Sequence, residues 1–157
     1  MATVAEAGTR DVSPAKRAML LTALYIAQEQ HGWLNPQALD RVARRFDMTP
    51  GQVYATASFY TLFKLAPQGR YRIQVCEGLS CYLVGGAAPV IAQVGRQLNL
   101  RPGETSPDGR FTLEVVECLA SCGTAPALRI KDELYEHMSP EKIEALLARL
   151  SRSERIA

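Results

Sequence analysis

Four cysteines fall in two tight pairs, Cys76-x4-Cys81 and Cys118-x3-Cys122, with no cysteine elsewhere in the 157 residues. Each spacing lets two thiolates grip one side of a small inorganic centre, and the long interval between pairs demands a folded domain to unite them. Four thiolates without a paired histidine make a soft donor set. It suits iron–sulfur or zinc rather than magnesium, calcium or copper(II). Three chemistries stay open on spacing alone. A [2Fe–2S] cluster would take one pair on each iron. Structural zinc prefers the closer Cys-x2-Cys knuckle. A thioredoxin-like redox pair needs Cys-x-x-Cys, which the chain lacks.

The flanking residues favour iron–sulfur. Gly78, Gly85, Gly86 and Gly123 let backbone come close, and Leu79, Leu83, Val84, Leu119 and Ala120 would keep the site partly dry. No Lys or Arg occurs from residue 73 to 95 or from 112 to 127, whereas Glu77 and Glu117 adjoin cysteines. Adding an electron costs more where no cation offsets it, so an iron–sulfur centre here is expected to have a low potential.

These residues need elements to position them. The N-terminal part reads as helices whose starts pair a capping side chain with proline, at Ser13-Pro14, Asn35-Pro36 and Thr49-Pro50, with Thr49 and Gln52 as a capping box. Helices are expected over 14–30, 36–46 and 50–58, the first ended by a left-handed turn at Gly32. A Pro/Gly link follows near 66–69. Residues 71–76 then alternate polar outward and apolar inward, a strand that delivers Cys76. A helix over 85–98, a strand over 111–117, a hairpin turned at Asp132-Glu133 and a closing helix over 140–150, led by Ser139-Pro140, follow, giving a small sheet with helices packed against it. The expected organisation is a flexible N-terminus (1–12), a helical bundle (13–69), a cysteine-bearing domain (70–151) and a flexible tail (152–157).

Composition sets broad limits. Hydrophobic residues make up 47% and charged residues 22%, with a net charge of +2, ordinary for a soluble globular chain. No run approaches the length of a membrane span, so direct membrane insertion is not expected. Met1–Thr9 has no apolar segment of the secretory type, so the cysteines are expected in a reducing compartment, as ligands rather than disulfides. Residues 41–59 also scan as helix-turn-helix, the alternative of a redox-sensing DNA-binding regulator. The near-neutral charge argues against it, because a nucleic-acid face needs several phosphate contacts. The aromatic run Phe59–Phe63 is expected to divide between core and interface. His31 and His137 read as cap or surface residues.

The chain resembles the thioredoxin-like [2Fe–2S] subunit of NADH-quinone oxidoreductase (respiratory complex I), the 24 kDa subunit family. The resemblance rests on AQEQHGWL (27–34), VYATASFYTLF (53–63), VCEGLSC (75–81) and ECLASCGTAP (117–126), and spans about 14–150. It implies an α+β or α/β chain, a helical bundle followed by a thioredoxin-like [2Fe–2S] domain, with Cys76, Cys81, Cys118 and Cys122 as cluster ligands and no catalytic residue of its own. It also implies docking on a flavoprotein subunit that carries FMN and NADH, within a larger redox complex peripheral to the cytoplasmic side of the inner membrane. The same small subunit recurs in NAD-dependent formate dehydrogenases and NAD-reducing hydrogenases, while the segments 107–114 and 132–136 look most like the respiratory version. Pro126 stands where thioredoxin-like folds often hold a cis proline. One departure is Ala120, where the family usually has glycine.

Overall fold

The computed structural model describes residues 14–152, so the expected cap at Ser13, the lead-in 1–12 and residues 153–157 lie outside the described residues. The chain divides into two compact units, with the boundary between Pro67 and Gln68.

The first unit holds α1 (Pro14–His31), α2 (Pro36–Phe46) and α3 (Pro50–Phe59). The expected start signals operate. Asn35 Oδ1 accepts from the Ala38 amide at 2.8 Å, and Thr49 and Gln52 form a reciprocal capping box. Gly32 follows α1 with φ of 74°. Leu20, Leu24, Leu34, Leu39, Val42, Val53 and Phe63 make the core of this unit. Gln28, the second residue of the AQEQHGWL segment, is a buried polar side chain with a defined task. Its amide nitrogen donates to the Leu62 carbonyl at 3.2 Å, and its oxygen accepts from the Lys64 amide at 2.6 Å. The loop after α3 is thereby pinned to α1, and its backbone groups do not go unpaired. The aromatic run divides between core and surface. Phe63 is buried, while Phe59, at 79% exposure, stands in solvent.

The second unit is built on a four-stranded sheet of order β2-β1-β3-β4: β1 (Tyr71–Cys76), β2 (Phe111–Val116), β3 (Leu128–Ile130) and β4 (Glu133–Tyr135). β1 and β2 are parallel, and the other two pairings are antiparallel. α5 (Ala87–Leu98) crosses between the parallel strands, and α6 (Pro140–Arg152) packs against it. Both helices cover one sheet face. Ile73, Val75, Leu113, Leu128 and Ile130 meet Val90, Val94, Ile143, Leu146 and Leu147 there.

Four expectations need correction. The polar positions of β1 do not all face water, because Gln74 is only 5% exposed. It donates to Glu114 Oε2 at 2.8 Å and accepts from Arg129 Nε at 2.8 Å, so hydrogen bonds replace hydration. The hairpin turns at Lys131-Asp132, with Ile130 opposite Glu133. Lys131 takes φ of 56°, the left-handed geometry that two-residue hairpin turns require. The helix expected from residue 85 starts at Ala87, because a separate short helix, α4 (Leu79–Leu83), precedes it. Finally, the closing helix expected to end at residue 150 runs on through Arg152.

The capping box generates a stability prediction. Thr49→Ala removes the side-chain acceptor for the Gln52 amide and should lower unfolding free energy by about 1 kcal/mol. Urea denaturation of the variant and the parent checks this, with an unchanged slope expected.

Candidate metal centre

Parallel pairing of β1 and β2 brings the two cysteine segments together. Cys76 is the last residue of β1 and lies in register with Val116, the last of β2. Parallel strands end on the same side, and neighbours are about 4.8 Å apart. The chain leaving β1 and the chain leaving β2 therefore start side by side. The Glu77 amide continues the ladder by donating to the Val116 carbonyl at 3.0 Å. One residue later, the segments approach so closely that a Cβ on Gly78 would lie 2.7 Å from the Glu117 carbonyl oxygen and 3.4 Å from Cys76 Sγ. Only glycine fits that crossing.

Gly78 then leads into α4, which carries Cys81 inward. Cys76 and Cys81 are both buried, packed with Ala87, Leu119 and Ala125. Burial pushes the Cys81 thiol up. A hydrogen bond from the Ala127 main chain opposes this, and the neighbouring Cys76 and Cys122 thiols reinforce it. A second close approach seals the far side. A Cβ on Gly86 would fall 2.0 Å from Pro126 Cγ. Pro126 follows a cis peptide bond from Ala125, and the Cys76 amide donates to the Ala127 carbonyl at 3.2 Å.

The second pair is presented differently. Cys118 and Cys122 are exposed, and Cys122 opens a 3-10 turn (Cys122–Thr124) that has no buried residue and lies against α4. Between them, Ala120 adopts φ of 58°, and its amide donates to Cys118 Sγ at 3.2 Å. The left-handed residue turns the amide toward the sulfur. This explains why glycine suits the position, since an L side chain in that conformation carries strain.

Sequence reasoning missed α4 and Glu136. Glu136 accepts hydroxyl hydrogen bonds from Thr124 and Ser121, which hold its carboxyl below the usual range. A five-residue helix has too little periodicity to announce itself, and nothing local marks a tertiary partner.

None of the four thiols is in a disulfide. Among the described residues no three His, Cys, Asp or Glu side chains converge as a ready single-ion site. Cys76 and Cys81 pack together, while Cys118 turns its sulfur to the Ala120 amide. The donor chemistry fits a [2Fe–2S] group, which asks for thiolates on two irons rather than three donors on one ion. The histidines stand elsewhere. His31 ends α1 and bonds to Arg41, and His137 lends its backbone amide to the Thr124 carbonyl at 2.8 Å. Arg44 pairs with Asp40, so two of the three arginines on α2 are engaged locally. No helix among the described residues is long and apolar enough to cross a membrane.

A mixed sheet, helices on one face and thiol pairs leaving its parallel strands define a thioredoxin-like ferredoxin fold. The chain belongs to the thioredoxin-like [2Fe–2S] ferredoxin family, whose sequence pattern matches residues 7–151. NADH-quinone oxidoreductase subunit 2 of Thermus thermophilus is 39% identical over 142 residues, covering 90% of this chain and 78% of that protein. A subunit of the NADH-quinone oxidoreductase of Rhizobium meliloti is 38% identical over 143 residues, covering 91% and 84%. Among solved structures, a chain of an NAD+-reducing [NiFe]-hydrogenase matches with a TM-score of 0.75 at 25% identity. That likeness covers 84% of this chain and 23% of the longer one.

Two substitutions test this geometry in opposite directions. Ala120→Gly relieves the left-handed strain and should raise stability by about 0.5–1 kcal/mol, net of the added freedom of the unfolded chain. Gly86→Ala drives a methyl into a rigid proline ring and should lower stability by about 2–3 kcal/mol. Denaturant titration of both variants distinguishes the signs.

Proposed function

We propose that this chain is the [2Fe–2S] electron-transfer subunit of an NADH-oxidising complex, of the NADH-quinone oxidoreductase type. Cys76, Cys81, Cys118 and Cys122 hold the cluster, and the chain is not a catalyst by itself. The observation that carries this reading is the parallel register that ends β1 at Cys76 beside the chain leading from β2 to Cys118, with all four thiols free, in a chain 39% identical to such a subunit. When bound, the cluster supplies one-electron exchange with FMN on a partner flavoprotein that also binds NADH.

The chain's own residues divide the work. Buried Cys76 and Cys81 anchor the inner side, where Leu119 and Ala125 exclude water. Exposed Cys118 and Cys122 leave the outer side accessible to a partner. The Ala120 amide steadies Cys118 Sγ by a hydrogen bond. Glu77 and Glu117 are exposed beside the cysteines, and the segments 73–95 and 112–127 contribute no cation. Both features disfavour an added negative charge and support a low potential.

A second reading keeps the same role in a different assembly, an NAD-dependent formate dehydrogenase or an NAD-reducing hydrogenase. The likeness to the hydrogenase chain favours it. Isolating the native complex and comparing NADH-dependent quinone reduction with hydrogen or formate oxidation separates the two.

Anaerobic purification followed by metal and sulfide analysis tests the cofactor. Two irons and two sulfides per chain, visible charge-transfer absorption and a clearly negative midpoint potential are expected. A single zinc in a colourless protein would overturn the reading, and a clearly positive midpoint would remove the electrostatic account.

A further inference from the structure

The turn that presents Cys122 gets almost no help from packing, since none of its residues is buried. Short 3-10 turns of this kind are weakly held on their own. A polar tether takes the place of packing. The Ser121 hydroxyl donates to Glu136 Oε1 at 2.7 Å, and the Thr124 hydroxyl donates to the same oxygen. Ser121 and Thr124 bracket Cys122 and Gly123, so one carboxylate grips the turn at both ends. Glu136 is itself well placed for this. It follows the last residue of β4, and the next two amides, of His137 and Met138, donate to the Thr124 and Pro126 carbonyls at 2.8 and 3.0 Å. The sheet thus supplies a fixed base for the carboxylate, and hydrogen bonds to a charged acceptor are the stronger kind.

We propose that Glu136 is a positioning residue for the cluster, its carboxylate fixing the 3-10 turn so that Cys122 is presented in one geometry. The inference rests on Cys122 being a cluster ligand. Glu136 acts on the turn through the two hydroxyls.

The test compares the cluster-loaded parent with Glu136→Ala, Glu136→Gln and the control Glu133→Ala, another exposed carboxylate of the same hairpin. Cluster loss to an iron chelator is followed by bleaching of the visible absorption, and the reduced EPR spectrum is recorded for each. Glu136→Ala should lose its cluster about tenfold faster and give a broadened spectrum, the scale expected for losing charge-assisted hydrogen bonds. Glu136→Gln keeps an acceptor oxygen but loses its charge and should fall between, at about threefold the parental rate, while Glu133→Ala should stay within about twofold of the parent. The double variant Ser121→Ala with Thr124→Val removes the donors instead and should reproduce Glu136→Ala. Parental loss rates in Glu136→Ala would overturn the proposal, and so would a Glu136→Gln variant as labile as Glu136→Ala. A parent protein that binds no iron would instead overturn the cluster reading beneath it.

Discussion

Everything at the thiol site depends on the parallel pairing of β1 with β2. Antiparallel neighbours would send their C-terminal ends to opposite sides of the sheet, and the two cysteine pairs would never meet. Parallel neighbours require a long crossover, which α4 and α5 supply. The crossover is also what buries the sheet face, through Val90 and Val94. A single topological choice therefore sets the core of the second unit and also brings two cysteine-bearing segments, distant in the sequence, out side by side.

Close backbone approaches finish what the topology begins. At Gly78 and Gly86 the missing side chain lets one segment cross another, first at the Glu117 carbonyl and then at the Pro126 ring. The result is lopsided. One pair of cysteines is embedded among apolar neighbours, and the other stands on exposed loop held by hydrogen bonds. Packing resists slow chemical attack and water, whereas an exposed loop allows close approach by another protein. A site that must hold an inorganic group and also meet a partner needs both qualities, and here they fall on different segments.

Much of this was legible in the sequence because local rules govern it. The caps at Asn35 and Thr49, the left-handed Gly32 and the strand leading to Cys76 each follow from a few adjacent residues. The four cysteines, and the motifs around them, pointed to the same end of the sheet. What escaped was tertiary. α4 is too short for a periodic pattern. Gln74 looked like a solvent-facing residue because its partners, Glu114 and Arg129, lie on other strands. Ala120 stood out as a departure, but its cause, a positive φ, became visible only with the backbone in hand. Glu136 falls in a segment that carries the family resemblance, but nothing in the linear order marks it as the partner of the Cys122 turn.

The polar row across the sheet has a consequence for assembly. Arg72, Gln74, Glu114 and Arg129 lie on the face opposite the apolar core, with Glu114 and Arg129 bonded to Gln74 from the strands on either side. Side chains alternate faces along a strand, so sliding β3 by one residue would drive the Arg129 guanidinium in among Val90, Val94 and Leu147. The row acts as a key cut for one alignment of three strands. Because the cysteines lie just beyond the ends of two of those strands, a key that rejects the wrong alignment during folding also keeps the sulfurs from ever being assembled out of step.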